Sequence, residues 1–480
     1  MKWLTAIVII IIFNGCAVQK HSTAIKKSDE TSPQINTTGL VKKHSLTSSF
    51  TSYKGLVMAG YQGWFNAEGD GAGRGWNHYE DFNTQRFSPG FTNIDTWPDV
   101  SEYEKTYKTS FKHADGSPAY VFSPWDYSSV DLHFKWMQQY GVDGVFMQRF
   151  AVGLKSKLKA VANDRVLDNA FKASEKYHRA IAVMYDLSGM SNSDALKIID
   201  DWKHLIDSLK ITNRGDKQTY LYHNGKPLVG LWGVGFDDAR HDYRRSIIEK
   251  IMNFLQNDPV YGGCSILLGI PTFWRDFGRD MSGDKHFHEV FRKADIISPW
   301  FVGRYNEATY PTYQKRIRDD IAWCKENKID YVPVVYPGMS VHNMHIKDMP
   351  GNREKSFGQQ MPGYQIGSTS NFTFSRDQEI PDPRIVMDAI PRNSGDFFWQ
   401  QIRGDFNVGA EMLYIAMFDE IDEGTAILKI EKKPPVGASS FVKLDDDIPS
   451  DYYLYLTGYA AKVLKGQVPM TTIKPPPPRN

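Results

Sequence analysis

The feature that most constrains this chain is a regular alternation of short apolar runs with amphipathic stretches, which begins near Lys54 and ends near Leu464. Such alternation is typical of parallel α/β folds, because a strand buried on both faces needs an apolar run and each parallel connection needs a crossover helix. The predicted strands are residues 54–59, 144–148, 180–186, 228–232, 265–270, 296–300, 331–335 and 411–417.

Amphipathic segments separate these runs and predict the crossover helices. They are residues 129–140, 166–177, 193–208, 243–257, 286–293, 313–327, 394–408 and 452–464. Strand–helix units in such succession predict a (β/α)8 TIM barrel with long loop insertions, which occupies residues 52–466 as one α/β domain. A doubly wound open sheet is the alternative, but no Gly-x-Gly-x-x-Gly motif follows the first strand.

Composition excludes several classes of protein. The 480 residues are 41% hydrophobic and 24% charged, with a net charge of +1, which is ordinary for a globular enzyme and gives no sign of a nucleic-acid partner. The three cysteines form no disulfide framework, and no Cys-x-x-Cys or His-rich spacing indicates a structural zinc site. We therefore predict neither a metal nor another cofactor.

The N-terminus has the pattern of an export signal. Lys2 precedes an apolar run from Leu4 to Phe13, and Gly15-Cys16 resembles the junction of a bacterial lipobox. We predict a signal peptide at 1–16, a lipid anchor on Cys16, a flexible tether at 17–51 and a disordered Pro-rich tail at 467–480. The chain is then an exported lipoprotein of the outer membrane or periplasm that contacts the membrane only through its anchor; a soluble exported protein is the alternative.

Four carboxylates occur in the window 418–425, directly after the last apolar run. They are Asp419, Glu420, Asp422 and Glu423. Like charges at this density cost electrostatic energy unless a proton, a cation or solvent offsets them. Alone, the window fits an acidic surface loop, but at the end of an eighth barrel strand it lies where barrel enzymes hold their chemistry.

Aromatic and hydrogen-bonding side chains follow the other predicted strands. These candidates for substrate binding are Tyr61, Trp64, Trp76, His78, Arg149, Asp186, Trp232, Trp300, Arg304 and Tyr336. Rings that stack on sugars, mixed with groups that bind hydroxyls, predict a carbohydrate groove. Singly, each tryptophan also fits packing at the top of the barrel and each arginine a structural ion pair, so the prediction depends on their convergence.

The stretch Asp419-Glu-Ile-Asp-Glu-Gly-Thr425 resembles the Asn-Glu-Trp-His-Glu-Gly-Thr signature of glycoside hydrolase family 99, in the family 71/99-like group. Gly60-Tyr-Gln-Gly-Trp64 and Trp97-Pro-Asp99 are similar to the opening region of that group. The resemblance implies a (β/α)8 barrel, a retaining mechanism and α-linked glycans as substrates, with an α-mannan-like glycan first. It also implies that Glu420 acts as a base on the sugar 2-hydroxyl, and that Glu423 acts as acid/base on the leaving oxygen and then on water.

The chain departs from the family signature between the two glutamates. Ile421 and Asp422 stand where the family has Trp and His, which predicts altered substrate contacts and altered glutamate pKa values. The predicted function is an exported glycoside hydrolase. The alternatives are a non-catalytic carbohydrate-binding lipoprotein on the same barrel, and a metal-dependent barrel hydrolase, which the lack of a His-x-His pair after strand one disfavours.

Overall fold

A computed structural model describes residues 42–241, 243–345 and 386–477. The predicted signal peptide with Cys16, the tether up to residue 41, most of the long connection before the last barrel strand and the last three residues lie outside the described residues. The strands are β1 (Val57–Tyr61), β2 (Tyr107–Lys112), β3 (Pro118–Val121), β4 (Gly144–Phe150), β5 (Ala180–Asp186), β6 (Tyr222–His223), β7 (Lys226–Trp232), β8 (Ser265–Ile270), β9 (Ile296–Pro299), β10 (Asp330–Tyr331), β11 (Val334–Val335) and β12 (Leu413–Ile415).

The main sheet is parallel and follows the order β10-β9-β8-β7-β5-β4-β1-β12-β11. β10 and β11 are two halves of one strand interrupted at Pro333, so the two ends of this order meet in a single strand position. Across the interruption the Val332 amide donates to the carbonyl of Ile297 (3.0 Å) and the Tyr414 amide donates to that of Pro333 (3.1 Å). The sheet therefore closes, and the predicted (β/α)8 barrel is confirmed.

Helices cover the outside of the barrel. They are α1 (Tyr127–Tyr140), α2 (Lys157–Tyr177), α3 (Asn192–Ala195), α4 (Lys197–His204), α5 (Arg245–Asn257), α6 (Phe287–Phe291), α7 (Tyr310–Glu326), α8 (His342–His345), α9 (Asp396–Asn407) and α10 (Tyr452–Leu464). The strands are buried on both faces, β5 and β8 along their whole length, which is why apolar runs located them in the sequence. None of the helices in the described ranges has both the length and the apolar character to span a membrane.

The first long loop contains structure that the sequence pattern did not reveal. β2 and β3 pair as an antiparallel hairpin between β1 and α1. β2 alternates buried and exposed residues, the pattern of a strand covered on one face only. The first barrel strand also begins at Val57 rather than at Lys54, because Gly55 takes a left-handed conformation (φ 82°) in the preceding turn.

Both ends of the described chain lie on the barrel. The amides of Lys43 and Ser45, assigned to the tether, donate to the carbonyls of Val260 (3.0 Å) and Thr212 (2.8 Å). At the other end the Tyr452 hydroxyl donates to the carbonyl of Pro475 (2.5 Å). The described parts of the predicted tether and tail are thus hydrogen-bonded to the folded domain through their backbone groups.

The packing of α10 on α1 gives a test of the fold. A Cβ on Gly458 would lie 1.6 Å from the carbonyl oxygen of Tyr140. Alanine favours an isolated helix by about 1 kcal/mol over glycine, but here the clash forces the helices apart. We expect Gly458→Ala to lower the free energy of unfolding by about 2 kcal/mol in urea denaturation. Lys462→Ala, exposed on the same helix, is the control; an unchanged or higher stability for Gly458→Ala would contradict this packing.

Candidate active site

Asp419 joins the end of β12 to the end of β1. Its carboxylate is fully buried and accepts hydrogen bonds from the backbone amides of Gln62 (2.7 Å) and Gly63 (2.8 Å). The Phe418 amide also donates to the carbonyl of Gly60 (2.7 Å). Burial raises the pKa of Asp419 to about 7, although the two amide donors act in the opposite direction. The turn at residues 419–423, which we call the acidic turn, is therefore held against the first barrel strand through main-chain contacts.

Glu420 is buried and held on both carboxylate oxygens. The Gln62 side-chain amide donates to Oε1 (2.7 Å) and the Thr425 hydroxyl donates to Oε2 (3.1 Å). Burial raises the pKa of Glu420 well above its usual value, and the nearby charges of Glu423 and Asp422 raise it further. The two donors favour the charged form and fix the direction of the carboxylate.

Glu423 is the most exposed of the four carboxylates. No side-chain hydrogen bond to Glu423 occurs within the ranges that the structure describes. Burial and the nearby Asp422 raise its pKa to about 7, although Arg240 and His345 act in the opposite direction. A carboxyl group with this pKa exchanges its proton near neutral pH, as acid/base catalysis requires.

Asp422 is paired with His78, from the loop after β1. Oδ2 of Asp422 lies 3.1 Å from Nδ1 of His78, and the His78 ring stacks on Trp64 with centroids 3.9 Å apart. Burial lowers the pKa of His78 well below its usual value and raises that of Asp422 to about 8. Both shifts therefore favour the uncharged forms of the two residues over an ion pair.

A pocket of about 680 Å³, open to solvent, lies at the carboxyl ends of the strands. The pocket is lined by Gln62, Trp64, Gln148, Phe150, Asp186, Ser188, Trp232, Arg240, Trp300, Met417, Glu420 and Glu423. Acidic groups thus face aromatic rings across a concave site.

Several predicted residues meet in this pocket. Trp64, Trp232 and Trp300 line it, and Trp232 and Trp300 pack edge to face with centroids 5.3 Å apart. Asp186, at the end of β5, also lines it and accepts a hydrogen bond from the Ser188 amide (2.7 Å). Burial raises the pKa of Asp186. Together with Glu420 and Glu423, these residues come from strands on several sides of the barrel.

Three predicted aromatic residues lie away from the pocket. Tyr61 is buried in the core, where its hydroxyl lies 2.8 Å from Nδ1 of His133. Trp76 packs against Phe87, with centroids 5.1 Å apart. Tyr336 is buried, and its hydroxyl donates to the carbonyl of Tyr305. In each case neighbouring rings and backbone groups bind the side chain, so it presents no surface to a ligand in the pocket.

The predicted arginines form ion pairs. Arg149 lies 2.5 Å from Asp201 and 2.7 Å from Asp164, and Arg304 lies 2.7 Å from Asp280. Side chains alternate along a strand, so Gln148 points into the pocket and the adjacent Arg149 points to the other side. His78 lies behind Trp64 and is not a lining residue. Both arginines therefore have the structural ion-pair role that was the alternative to substrate binding.

Six lining residues were not among the predicted site residues: Gln62, Gln148, Phe150, Ser188, Arg240 and Met417. Gln62 and Phe150 adjoin residues that were selected, so a wider window at the strand ends would have included them. Ser188 and Arg240 lie in connections after β5 and β7, where nothing in the sequence pattern distinguishes them. Within the described ranges, no group of three or more His, Cys, Asp or Glu side chains could hold a metal ion.

The site thus consists of paired carboxyl groups after the last strand of a closed (β/α)8 barrel. No protein-family model and no curated protein matches the chain. Among solved structures, the GH99 endo-α-mannosidase from Bacteroides thetaiotaomicron is similar, with a TM-score of 0.57 at 12% identity over 87% of this chain and 99% of that chain. The GH99 endo-α-mannosidase from the same organism in complex with bis-tris-propane gives 0.56 at 12% identity over 86% and 98%. The resemblance to family 99 is confirmed at the level of the fold.

The buried carboxyl of Asp422 predicts a pH-dependent stability. Its pKa rises from 3.8 to about 8 on folding, so between these values the folded chain holds a proton that the unfolded chain has released. The free energy of unfolding therefore falls as pH rises towards 8. We expect a smaller fall between pH 5 and pH 9 in Asp422→Asn, which stays neutral, measured by urea denaturation at each pH.

A second buried carboxyl provides the comparison. Asp405 in α9 accepts a hydrogen bond from the Tyr310 hydroxyl (2.7 Å), and burial raises its pKa to about 8. Asp405→Asn is expected to reduce the fall in stability in the same way. An Asp422→Asn variant with the wild-type pH dependence, beside an Asp405→Asn variant with a reduced one, would contradict the protonation of Asp422.

Proposed function

We propose that this protein is a retaining glycoside hydrolase that cleaves α-linked glycans with Glu420 as base and Glu423 as acid/base. The observation that carries the proposal is the pair of glutamates in unlike environments, in one pocket with three tryptophans. Glu420 is held by two hydrogen-bond donors, whereas Glu423 faces the pocket without one among the described residues. Proton transfer at a glycosidic bond needs two such groups.

Burial and mutual repulsion keep the two glutamates from being charged together. The donors Gln62 and Thr425 stabilise the charged form of Glu420, which acts as the base, and oppose the burial that raises its pKa. In the first step Glu420 takes the proton of the sugar 2-hydroxyl, and that oxygen attacks C1. The C1–O bond to the leaving sugar breaks, and Glu423 gives its proton to the departing oxygen. A 1,2-anhydro sugar results.

In the second step the roles of the two groups reverse. The Glu423 carboxylate takes a proton from water, and the water oxygen attacks C1. The C1–O2 bond breaks, and Glu420 returns its proton to O2, which restores both side chains. Two inversions at C1 give net retention. The nucleophile belongs to the substrate, so the distance between the carboxyls does not determine the stereochemistry as it does in other glycosidases.

An α-mannan-like glycan is the first choice of substrate, supported by the fold shared with the GH99 endo-α-mannosidases. Trp64, Trp232 and Trp300 supply ring faces for the sugars. Asp422, which lies between the two glutamates in the sequence, contacts His78. The His78 ring stacks on Trp64, so Asp422 is linked to the aromatic wall of the pocket. That arrangement favours a substrate that differs from the one of family 99 in detail.

We further propose that the protein works at the bacterial cell envelope as an exported lipoprotein. The proposal is supported by the apolar run before Gly15-Cys16 and by the unpatterned segment that follows. Labelling of the full chain with a radioactive fatty acid in a bacterial host is expected to depend on Cys16. An unlabelled, processed protein would instead indicate a soluble exported form.

The catalytic assignment is tested by Glu423→Gln and Glu420→Gln, which keep the shape of each side chain. We expect each to lower the rate of glycan cleavage by about a thousandfold or more, since each removes a proton-transferring group. The measurement is product formation by chromatography from a panel of α-mannans and α-glucans. Glu326→Gln, exposed on α7, is the matched control and should keep the wild-type rate.

The same experiment distinguishes the proposed hydrolase function from a non-catalytic carbohydrate-binding function. Wild-type cleavage that persists in Glu423→Gln would reject the assigned roles. Saturable binding of a glycan by the wild type, lost in Trp64→Ala and accompanied by no product from any glycan, would establish the binding function instead. Thermal unfolding of each variant confirms that a lost activity is not a lost fold.

A further inference from the structure

A second pocket lies beside the one that contains the two glutamates, which we now call the first pocket. The second pocket has a volume of about 790 Å³, against about 680 Å³ for the first. Its walls come from the connection after β7, with Phe236, Asp237 and Ala239, and from the connection after β8, with Ser282 and Phe287. Among the described residues, none lines both pockets, so the second pocket is not explained by the reaction proposed for the first.

The two pockets share a wall of side chains. Trp232 lines the first pocket, and its ring packs against the rings of Phe236 and His241, which line the second, with centroids 5.2 Å and 5.6 Å apart. Ser188 also lines the first pocket, and its hydroxyl lies 3.2 Å from Nε2 of His241. Residues of the two pockets are thus in direct contact, and a chain-like ligand that passes over this wall reaches both.

The connection after β7 is fixed by backbone contacts. Phe236 pairs with Met281, from the connection after β8, in an isolated antiparallel bridge. The Tyr243 hydroxyl donates to the carbonyl of Gly233. Gly233 and Gly235 take left-handed conformations (φ 103° and 90°), which residues with a Cβ rarely adopt. The second pocket is therefore shaped by the fold before any ligand binds.

Carboxylates lie along one side of the second pocket. Asp237 is exposed and Asp238 is half-buried. Oδ1 of Asp238 accepts a hydrogen bond from the Arg240 amide (2.8 Å) and lies 2.7 Å from Nδ1 of His241. No other described residue donates a hydrogen bond to Oδ2. Although burial acts to raise the pKa of Asp238, the hydrogen bond and charge of His241 lower it below its usual value. Asp238 therefore presents a charged acceptor to a ligand hydroxyl.

Aromatic rings supply the apolar part of the second pocket. Phe236, Tyr243 and Phe287 line it and are buried in the structure. Apolar ring surface beside hydrogen-bond acceptors suits a sugar, which has both C–H faces and hydroxyl groups. Within the described ranges, no lysine or arginine lines this pocket, so a ligand without negative charge is favoured over an anion.

We propose that the second pocket binds sugar units of the same polysaccharide chain that is cleaved in the first pocket. The inference rests on the proposed function and specifies its substrate as an uncharged chain long enough to occupy both pockets. Once part of the chain is held in one pocket, binding in the other becomes intramolecular, which raises the affinity for a long chain over that for a short one.

The test fills the second pocket with a bulky side chain. Ala239 is exposed and lines the pocket, so Ala239→Trp obstructs it. The unobstructed protein and the variant both carry Glu423→Gln, so that glycans are bound and not cleaved. Titration calorimetry measures the binding of α-mannan and dextran, each beside its own disaccharide, α-mannobiose and isomaltose. We expect Ala239→Trp to bind at least one polymer about tenfold more weakly, and to lose less affinity for its disaccharide.

Ala114→Trp is the matched control, since Ala114 is exposed in the turn between β2 and β3 and lines neither pocket. It should keep the polymer affinity of the unobstructed protein. Asp237→Ala is a second variant, which removes a carboxylate from the pocket without adding bulk, and we expect it to weaken polymer binding too. Thermal unfolding checks the fold of each variant; if Ala239→Trp does not fold, Asp237→Ala decides by the same criterion.

Three results would overturn the proposal: an unchanged polymer affinity in Ala239→Trp, equal losses of affinity for the polymer and its disaccharide, or no binding of either polymer by the unobstructed protein. Tighter binding of dextran sulfate than of dextran would overturn it in favour of an acidic chain.

Cleavage is measured separately, on the protein that retains both glutamates. Cleavage of an α-glycan together with an unchanged polymer affinity in Ala239→Trp would reject the second pocket and leave the proposed hydrolase intact. Polymer binding that depends on the second pocket, without cleavage of any α-linked glycan, would retain that pocket and reject the hydrolase. Each proposal therefore fails by a different result.

Discussion

The acidic turn depends on the contact between the Asp419 carboxylate and the two backbone amides after β1. Without donors, a carboxylate buried this completely would be strongly destabilising, and here the amides of Gln62 and Gly63 supply them. Because β1 and β12 are neighbours in the barrel, this contact also fixes where Glu420 and Glu423 point. The position of the candidate catalytic groups thus follows from barrel closure through main-chain geometry.

Four carboxyls in five residues are tolerated because each is stabilised in a different way. Asp419 uses backbone amides, Glu420 uses the side chains of Gln62 and Thr425, Asp422 is paired with His78, and Glu423 retains contact with the open pocket. Burial raises the pKa values of all four, so the turn carries fewer charges than its formal composition indicates. These unequal environments make two adjacent glutamates chemically distinct, which acid/base catalysis requires.

The sequence predicted the barrel well and the site in part, for physical reasons that differ. Strands buried on both faces, such as β5 and β8, are visible as apolar runs, whereas the half-exposed hairpin β2–β3 resembles a polar loop. At the strand ends, the type of a residue does not show which way its side chain points. Gln148 lines the pocket whereas Arg149 binds Asp201, although the two residues are adjacent and both are polar. Contacts between distant loops, such as His78 with Asp422, leave no local pattern.

The pairing of His78 with Asp422 bears on how the site differs from the family signature that it resembles. That signature has a histidine before the second glutamate, where this chain has Asp422. His78 comes from the loop after β1, in a left-handed conformation (φ 66°), and places an imidazole against this position. The same ring supports Trp64. The position between the glutamates is thereby in contact with the aromatic wall of the pocket. The protonation of Asp422 and the position of Trp64 in the pocket wall are consequently linked through one partly buried histidine.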